Sequence, residues 1–492
     1  MFYKAILFII GSLFLIPLFS QDCGLSDEDQ FTWFPKYLEH LSSNNLNTFT
    51  TNEYKIPIAL HLVARDNGVG RAKVATALEV LCELNELYTA TGISFYLPSN
   101  GINLVDHDGI FMDNNFAINQ LAMQNERRDS ALNVFVVNSV GASNVVGLYD
   151  ANRDWVLLQK SVFVSGNKTL AHEVGHLFAL LHPHFGWDGQ AWDVAIHGNP
   201  SPEIASDGVT LTEKMDGSNC AEAGDLLCDT PPDYNFGIDW TQSCDYAGGA
   251  TDPDNVLVNP DERLIMSYFS NSCRQVFSEE QVAIMQLDLE HPSREYLHPS
   301  YTPTADSLES SAELIAPAGM VSITSNTLDF AWEAVPDAQY YYIEYDRSPD
   351  FDLDPQGMIT TQNAISISHP WLSGLNYYWR VLTWNELYFC SPPSTVQQFN
   401  VDITSSVLFG NPKNTLNIFS TPGILNLEYQ LADSQGVDLK IYSLEGKEIF
   451  SKAINLSLGK GMYRLDVPMI PQGVFIVTIT GGIQMNKLVY FP

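Results

Sequence analysis

The stretch TLAHEVGHLFALLHPH, from Thr169 to His184, constrains the fold of this chain more than any other stretch. Most of its residues are apolar, which predicts a buried helix that carries four histidines and one glutamate. Positions i and i+4 of a helix lie on the same face. His172 and His176 have this spacing, so both imidazoles can bind one metal ion. Glu173 follows the first of them and would point toward the same cleft.

The chemistry of these side chains favours zinc. Neutral imidazole nitrogens bind Zn²⁺ at roughly 2.0–2.1 Å, and a catalytic site keeps one of its four positions open. The ion lowers the pKa of water toward about 7, so that a carboxylate such as Glu173 can accept the proton. His182, six residues after His176, is the predicted third ligand. His184 is the other local histidine, and an acidic residue on a second helix is the remaining alternative.

Strand patterns precede this helix and a loop-rich region follows it. Strands are predicted at YKIPIALHLVA, GISFYL, ALNVFVVNSV and WVLLQ, with a helix over Arg71–Ala90 after the first of them. This order predicts an α/β unit with a mixed, twisted sheet. Periodicity is lost from Pro183 to Asn259, and such a long region is usually functional or held by cross-links and metals. Regularity returns in the C-terminal helix SEEQVAIMQLDLEH.

The histidine spacing resembles the signature of the metzincins. In that family the chain turns sharply after the second histidine and returns the third from below, which supports His182 as the third ligand. Metzincins normally have glycine three residues after the second histidine, whereas this chain has Ala179. If this residue needs a positive φ, alanine costs on the order of 1 kcal/mol relative to glycine. That strain is too small to abolish a zinc site.

A second group of residues resembles the pappalysin family of metzincins, and in particular its cytophagalysin branch. Met266 would be the Met-turn residue below the metal, and Tyr268 would place its hydroxyl near the metal to stabilise an oxyanion. The block GDLLCDTPPD, which begins at Gly224, matches the family as well. The resemblance covers residues 54–297 and includes Cys273, Phe277 and Gln281.

The resemblance implies a zinc endopeptidase with a metzincin fold. Glu173 would be its general base, and Tyr268 would be a further catalytic residue. The family also has structural Ca²⁺, for which Asp225, Asp229 and Thr230 are the candidate ligands. Oxygen donors of this kind suit Ca²⁺, although a complete site needs six or more of them.

Substrate preference and the alternative function depend on two further observations. The segment after the Met-turn, Phe269–Ser272, lies where relatives shape the pocket beyond the cleaved bond. It carries no acid, so we expect no strong preference for Arg or Lys after that bond. The alternative function is a cell-surface adhesion or binding protein whose protease domain is inactive, and Ala179 is the one feature in its favour.

The chain has seven cysteines, and export would allow disulfides. Cys220, Cys228, Cys244 and Cys273 lie together in the loop-rich region and predict two bridges. Three pairings are possible, and we favour Cys220–Cys228 with Cys244–Cys273. Cys82 lies in an apolar helical pattern and is predicted to be a buried thiol.

Cys23 is the odd cysteine near the N-terminus. The tripeptide DCG around it resembles the Cys-Gly of the pappalysin pro-segment. Its thiolate would occupy the open position of the zinc ion and act as a latency switch until the segment is removed. The alternatives are an unpaired thiol or a bridge to Cys82 or Cys390.

The two ends of the chain predict an exported, modular protein. Residues 1–20 have the charged, apolar and small-residue regions of a secretory signal peptide, and residues 21–53 form a short pro-segment. After the protease domain at 54–297 and a linker at 298–312, residues 313–402 resemble a fibronectin type III domain. Residues 407–492 resemble the C-terminal sorting domain of type IX secretion cargo. Two all-β sandwich domains would thus follow an α/β metzincin domain.

The net charge of −34 argues against nucleic acids and anionic membranes as partners, since both require a basic face. Solubility outside the cell accounts for this acidity, and Ca²⁺ binding by some carboxylates is the other explanation. No segment after the N-terminal one is long enough to span a bilayer. The expected partners are protein or peptide substrates and the secretion machinery. The protein is expected to be a monomer that is secreted or attached to the bacterial cell surface.

Overall fold

The computed structural model divides the chain into two compact units. The first contains Met1–Glu309 together with Asp337–Gln339 and Trp384–Ser391, and the second contains the remaining residues. The predicted signal peptide and most of the pro-segment lie outside the residues that the structure describes. The described residues are 21–23, 37–41, 52–99, 101–112, 117–141, 145–240, 243–298, 301, 303–308, 310–322, 326–353, 355–372, 374–402, 415–421, 423–443, 447–467, 470–471, 473–481 and 485–491.

The first unit is built on a mixed seven-stranded sheet, as the strand pattern predicts. Its order is β1-β6-β7-β5-β2-β3, with β4 paired to β2 off this path. Strand β6 runs antiparallel to β7, whereas β1 lies parallel to β6 and the other pairs are parallel. The sequence did not predict β1, β4 or β6, and in β6 Gly147 interrupts the apolar pattern. The strands are β1 Gln21–Cys23, β2 Tyr54–Ala64, β3 Ile93–Tyr96, β4 Ile102–Asp106, β5 Leu132–Val137, β6 Val145–Asp150 and β7 Trp155–Gln159.

The helices of this unit follow their apolar periodicity. The first buries Val74, Ala77, Leu78, Leu81 and Leu84, a spacing that places one apolar face on the sheet. The last begins with a capping box in which the side chains of Ser278 and Gln281 each accept a hydrogen bond from the backbone N–H of the other residue. The helices are α1 Val74–Tyr88, α2 Asp108–Met112, α3 Ala117–Glu126, α4 Thr169–Leu177, α5 Val194–His197 and α6 Glu279–Glu290.

Two disulfides hold the loop-rich region between α4 and α6. Cys220 pairs with Cys228 and Cys244 pairs with Cys273, as favoured from the sequence. Stacked aromatic side chains fill the space between them, and Phe236 lies parallel to Tyr246 with ring centroids 4.2 Å apart. Disulfides and aromatic packing therefore stabilise this region, in which regular secondary structure of the described residues is limited to short helices.

The prediction that Cys82 is a buried thiol was wrong, because Cys82 forms a disulfide with Cys390. Cys390 lies 308 residues further along the chain, in the segment Trp384–Ser391 that belongs to the first unit. The same segment accepts hydrogen bonds from Leu97 N to the carbonyl oxygen of Glu386 and from Ser99 N to its carboxylate, at 2.9 and 3.0 Å. An apolar helix predicts burial equally well for a thiol and for a half-cystine, so the sequence pattern did not separate them.

The second unit is all-β, as predicted for the C-terminal half. One pair of sheets has the orders β13-β10-β8 and β12-β11-β14-β15-β9, and the other has β16-β17-β20 and β19-β18-β21-β22. Trp332 and Trp379 are fully buried and belong to the core of this unit. No helix among the described residues is long and apolar enough to cross a membrane. The strands are β8 Leu314–Ala316, β9 Gly319–Ser322, β10 Thr327–Trp332, β11 Tyr340–Asp346, β12 Gln356–Thr360, β13 Ala364–Ser368, β14 Asn376–Trp384, β15 Gln397–Asp402, β16 Thr415–Thr421, β17 Ile424–Leu431, β18 Gln435–Tyr442, β19 Glu448–Leu456, β20 Gly459–Asp466, β21 Gly473–Gly481 and β22 Met485–Phe491.

Candidate metal centre

Helix α4 is buried along its whole length and carries the first two predicted ligands. All nine of its residues are buried, including His172 and His176. Met266 lies directly beneath the helix, because a Cβ added to Gly175 would be only 2.4 Å from its sulfur atom. Met266 itself is fully buried. The residue predicted for the Met-turn thus supports the helix at the turn between the two histidines.

The chain reverses direction after α4 at Ala179, which has a φ of 67°. The N–H of Ala179 donates to the carbonyl oxygen of His176 at 2.9 Å, and the N–H of Leu180 donates to that of Gly175 at 3.0 Å. These hydrogen bonds cap the C-terminal end of α4, and the chain folds back along the last turn of the helix. Ala179 therefore has a positive φ, which was the condition for strain at this position, because glycine adopts this conformation more readily than alanine. The turn brings His182 back to the two histidines of α4.

The Nε2 atoms of His172, His176 and His182 converge on one point. Their mutual distances are 3.1, 3.1 and 3.0 Å. Each Nδ1 faces an acceptor instead: the carbonyl oxygens of Ile265 and Leu180 at 2.9 and 2.8 Å, and the carboxylate of Asp188. A neutral imidazole has one donor and one acceptor nitrogen, so the protons lie on Nδ1 and three Nε2 lone pairs face one another. Such lone pairs repel unless a cation lies among them.

This donor set fits zinc. Tetrahedral Zn²⁺ with Zn–N bonds of roughly 2.0–2.1 Å places its nitrogen ligands about 3.3 Å apart, close to the spacing of these three atoms. Burial lowers the pKa of all three histidines, and their mutual electrostatic repulsion lowers the pKa of His172 and His176 further. The rings are therefore neutral at pH 7, which is the form that binds a metal. His172, His176 and His182 are also grouped as potential metal ligands by the proximity of their nitrogens.

Asp188 is a site residue that the sequence did not single out. Its carboxylate accepts the Nδ1–H of His182, and it also receives the N–H of Gly186 at 3.2 Å. A carboxylate in this position fixes the tautomer and the orientation of a ligand histidine. No motif predicts it, because the contact depends on how the chain folds after His182.

His184 lies beside the three converging histidines, and its ring nitrogens do not join their three Nε2 atoms. Its ring stacks on that of His182 at a centroid distance of 4.6 Å and an interplanar angle of 9°. Tyr268 packs against both rings, with centroids 4.8 Å from His182 and 4.6 Å from His184. His184 and Tyr268 therefore lie next to the three converging histidines, and their predicted roles stay predictions.

Glu173 lies in close contact with β6, the strand next to β1 at the edge of the sheet. Glu173 is fully buried, and its Oε1 would lie 2.6 Å from a Cβ added to Gly147 of β6. Thr169, the first residue of α4, would be equally close to that Cβ at 2.5 Å. Glycine at this position therefore lets β6 approach the carboxylate. The backbone of Cys23 in β1 pairs with the same Gly147, which places this strand along the edge next to the histidine cluster.

The predicted calcium ligands only partly come together. The hydroxyl of Thr230 donates to Asp225 Oδ1 at 2.8 Å, and Glu213 Oε2 lies against Gly224. Burial raises the pKa of Asp225 to about 8, and burial with the charges of Asp225 and Asp233 raises that of Glu213 to about 10. One oxygen of each of these two carboxylates is buried and has no hydrogen-bond partner among the described residues. The oxygen donors Asp225, Thr230 and Glu213 thus fit a hard cation, and Glu213 was not predicted.

Asp229, by contrast, is engaged at the start of α6. Its two carboxylate oxygens accept hydrogen bonds from the hydroxyl of Ser278 at 2.7 Å and from the N–H of Glu280 at 2.8 Å. Capping of α6 accounts for both oxygens, so the geometry favours Glu213 over Asp229 beside Asp225.

The chain matches one family model and several known structures. Residues 412–490 match the model described as "Secretion system C-terminal sorting domain". This match confirms the sorting domain predicted at the C-terminus and indicates a protein that is secreted or attached to the cell surface. No curated protein matches the chain significantly.

Two solved structures are similar to parts of this chain. A mutant of Tannerella forsythia promirolysin is 17% identical with a TM-score of 0.37, over 56% of this chain and 97% of that one. The fn3 domain of human contactin 1 is 20% identical with a TM-score of 0.18, over 22% of this chain and 89% of that one. Since both TM-scores are low, the proposed function rests on the geometry of the site itself.

Proposed function

We propose that this chain is an exported, zinc-dependent endopeptidase. The observation that carries the proposal is the convergence of three Nε2 atoms within 3.0–3.1 Å of one another, each oriented through its Nδ1. The adjacent Glu173 and the strand edge at β6 supply the two further parts that peptide hydrolysis needs, a base and a place for an extended substrate.

The residues of the site would have different roles in peptide hydrolysis. His172, His176 and His182 would hold the zinc ion, which supplies a Lewis acid that polarises the peptide carbonyl and lowers the pKa of water. A substrate would pair with the edge of β6 in the way that β1 does, which brings its backbone past Glu173. Glu173 would take a proton from the attacking water and pass it to the leaving amine. The hydroxyl of Tyr268 would donate a hydrogen bond to the oxyanion.

Two regulatory or structural features belong to the same proposal. Cys23 would act as a latency switch, since its strand lies on the β6 edge that a substrate would use. Removal of the pro-segment would then expose the edge. Ca²⁺ would bind at Asp225, Thr230 and Glu213, where a cation would compensate the two buried carboxylates.

The test compares the full chain with two variants, Glu173→Ala and the exposed control Glu79→Ala, each with Cys23 and with Cys23→Ser. Zinc content is measured by atomic absorption, and cleavage is measured on a mixed peptide library. We expect one zinc per chain in all of them and cleavage by the Cys23→Ser chain. Glu173→Ala should lower the rate by about 10²–10⁴-fold, the contribution of a positioned general base, whereas Glu79→Ala should not.

A chain that binds zinc but cleaves no peptide, either with Cys23 or with Cys23→Ser, would contradict the proposed enzymatic function. This outcome would favour the alternative of an adhesion or binding protein with an inactive protease domain. Loss of zinc in the wild-type chain would contradict the metal site as well.

A further inference from the structure

A separate cavity opens at the N-terminal end of α4. It is wide open to solvent, has a volume of about 670 Å³ and is lined by the loop that precedes the helix and by the segment that follows Met266. Both walls are therefore continuous with elements of the metal centre. The lining residues are Val164, Ser165, Gly166, Asn167, Lys168, Asn271, Ser272 and Gln275.

The cavity lies one helical turn from the metal ligands. Lys168 immediately precedes α4 and stands four residues before His172, a rise of about 6 Å along the helix axis. Thr169, the next residue, contacts β6 at the same Gly147 that faces Glu173. An extended peptide on β6 advances about 3.3 Å per residue, so a side chain next to the bond at Glu173 can reach the cavity.

The cavity presents hydrogen-bond donors and positive charge. Asn271 accepts two hydrogen bonds at its Oδ1, from the N–H of Lys168 and from the guanidinium of Arg274, both at 2.8 Å. Because this oxygen is occupied, its NH₂ group is the part of the amide that remains to face the cavity. Arg274 stands behind Asn271 and is 1% exposed. The Lys168 ammonium makes no ion pair with any residue in the described part of the chain.

One carboxylate, that of Glu83, lies against the loop that lines the cavity. Glu83 accepts hydrogen bonds from the hydroxyl of Ser165 and from the N–H of Gly166, the latter at 2.7 Å. Both of its carboxylate oxygens therefore accept hydrogen bonds from this loop. Lys168 is thus the one cationic side chain among the residues that line the cavity, in a chain with a net charge of −34.

We propose that this cavity binds an acidic substrate side chain, Asp or Glu, on one side of the cleaved bond, with Lys168 as the specificity-determining residue. The inference rests on the proposed endopeptidase function and adds a substrate class to it. A carboxylate is an acceptor-only group, so it complements the Lys168 ammonium and the Asn271 amide together. It also agrees with the expectation that Arg and Lys are not preferred after the cleaved bond.

The first test profiles cleavage sites in a peptide library with the full chain carrying Cys23→Ser. Asp and Glu should be enriched about tenfold over Asn and Gln at one position flanking the cut, as a charge-assisted contact provides. Lys168→Gln should abolish most of this enrichment, and Lys168→Glu should replace it with enrichment of Lys and Arg. Lys73→Glu, a change of the same charge on the residue before α1, should leave the profile as it is. An acidic enrichment that survives Lys168→Glu would overturn the proposal.

The second test does not depend on turnover. The Glu173→Ala chain is titrated with fluorescent peptides that differ only by Glu, Gln or Lys at the position found in the profile, and binding is followed by anisotropy. The Glu peptide should bind about tenfold more tightly than the Gln peptide, and Lys168→Gln should remove this difference. Cleavage without any acidic preference would overturn this inference alone. Absence of both cleavage and peptide binding would overturn the proposed function and the inference with it.

Discussion

At the scale of single residues, the orientation of the ligand histidines depends on what holds their second nitrogen. Two of the three Nδ1 atoms face backbone carbonyls, and only His182 depends on a side chain, that of Asp188. A backbone acceptor is fixed by the fold, whereas Asp188 can be replaced. His182 is therefore the ligand whose geometry can be altered without removing a histidine.

Asp188→Ala should lower the affinity for zinc about 10–100-fold, because the carboxylate fixes the tautomer of His182 and raises its basicity. The measurement is a competition titration with a chromophoric chelator. Asp239→Ala, an exposed carboxylate in the same subdomain, is the matched control and should bind zinc as the wild type does. Equal zinc affinities for the two variants would contradict this role of Asp188.

Ala179 tests how much the turn after α4 is strained. Its φ of 67° costs an L-residue roughly 1–2 kcal/mol, part of which glycine loses again through the entropy of the unfolded chain. Ala179→Gly should therefore raise the free energy of unfolding by about 0.5–1 kcal/mol, seen as a higher urea midpoint. Ala171→Gly inside α4 should lower it by about 1 kcal/mol, since glycine destabilises a helix. A lower free energy of unfolding for Ala179→Gly, as for Ala171→Gly, would show that Ala179 is not strained.

At the scale of elements, the approach of Met266 to α4 determines which residue can occupy position 175. Helix propensity favours alanine over glycine by about 1 kcal/mol, yet a Cβ on Gly175 would lie 2.4 Å from the Met266 sulfur. We expect Gly175→Ala to destabilise the protein by about 1–3 kcal/mol, the usual cost of overpacking a buried contact. Thermal unfolding with and without a chelator measures it.

The control for this substitution is Gly189→Ala. No heavy atom lies within 4 Å of a Cβ built on Gly189, so this variant should unfold within about 0.5 kcal/mol of the wild type. A Gly175→Ala protein that is as stable as the control would mean that Met266 can move aside and does not fix the helix.

The elements that could be predicted from the sequence are those whose own residues show the apolar or histidine spacing of a strand or a helix. The apolar runs of β2 and α1, and the His-x-x-x-His spacing of α4, depend on local periodicity, and the structure has all three. Strand β6 could not be predicted in this way, because Gly147 is there for its contact with Glu173 and not for strand propensity. Asp188 and Glu213 likewise could not be predicted, because their contacts depend on how the chain folds within the loop-rich region after α4. What was missed is the part of the site that only tertiary structure brings together.

At the scale of the whole molecule, the predicted end of the protease domain leaves out a part of the first unit. That unit includes Trp384–Ser391, which contributes Cys390 to the disulfide with Cys82 and the two hydrogen bonds that the carbonyl oxygen and the carboxylate of Glu386 accept. A chain that ends at Leu297 would lack all three. Its α1 would then carry an unpaired thiol, and the N–H groups of Leu97 and Ser99 would lose their acceptors.

We therefore expect the chain that ends at Leu297 to unfold at a lower temperature than the first unit of the full chain. A disulfide that closes a long loop typically contributes about 2–4 kcal/mol, which corresponds to a shift of about 5 °C or more in a unit of this size. Calorimetry of both chains measures the difference. The full chain with Cys82→Ser and Cys390→Ser separates the bridge from the hydrogen bonds of Glu386, and it should fall between the other two. If the shortened chain unfolds at the temperature of the full one, the segment Trp384–Ser391 adds nothing to the stability of the unit that holds the metal centre.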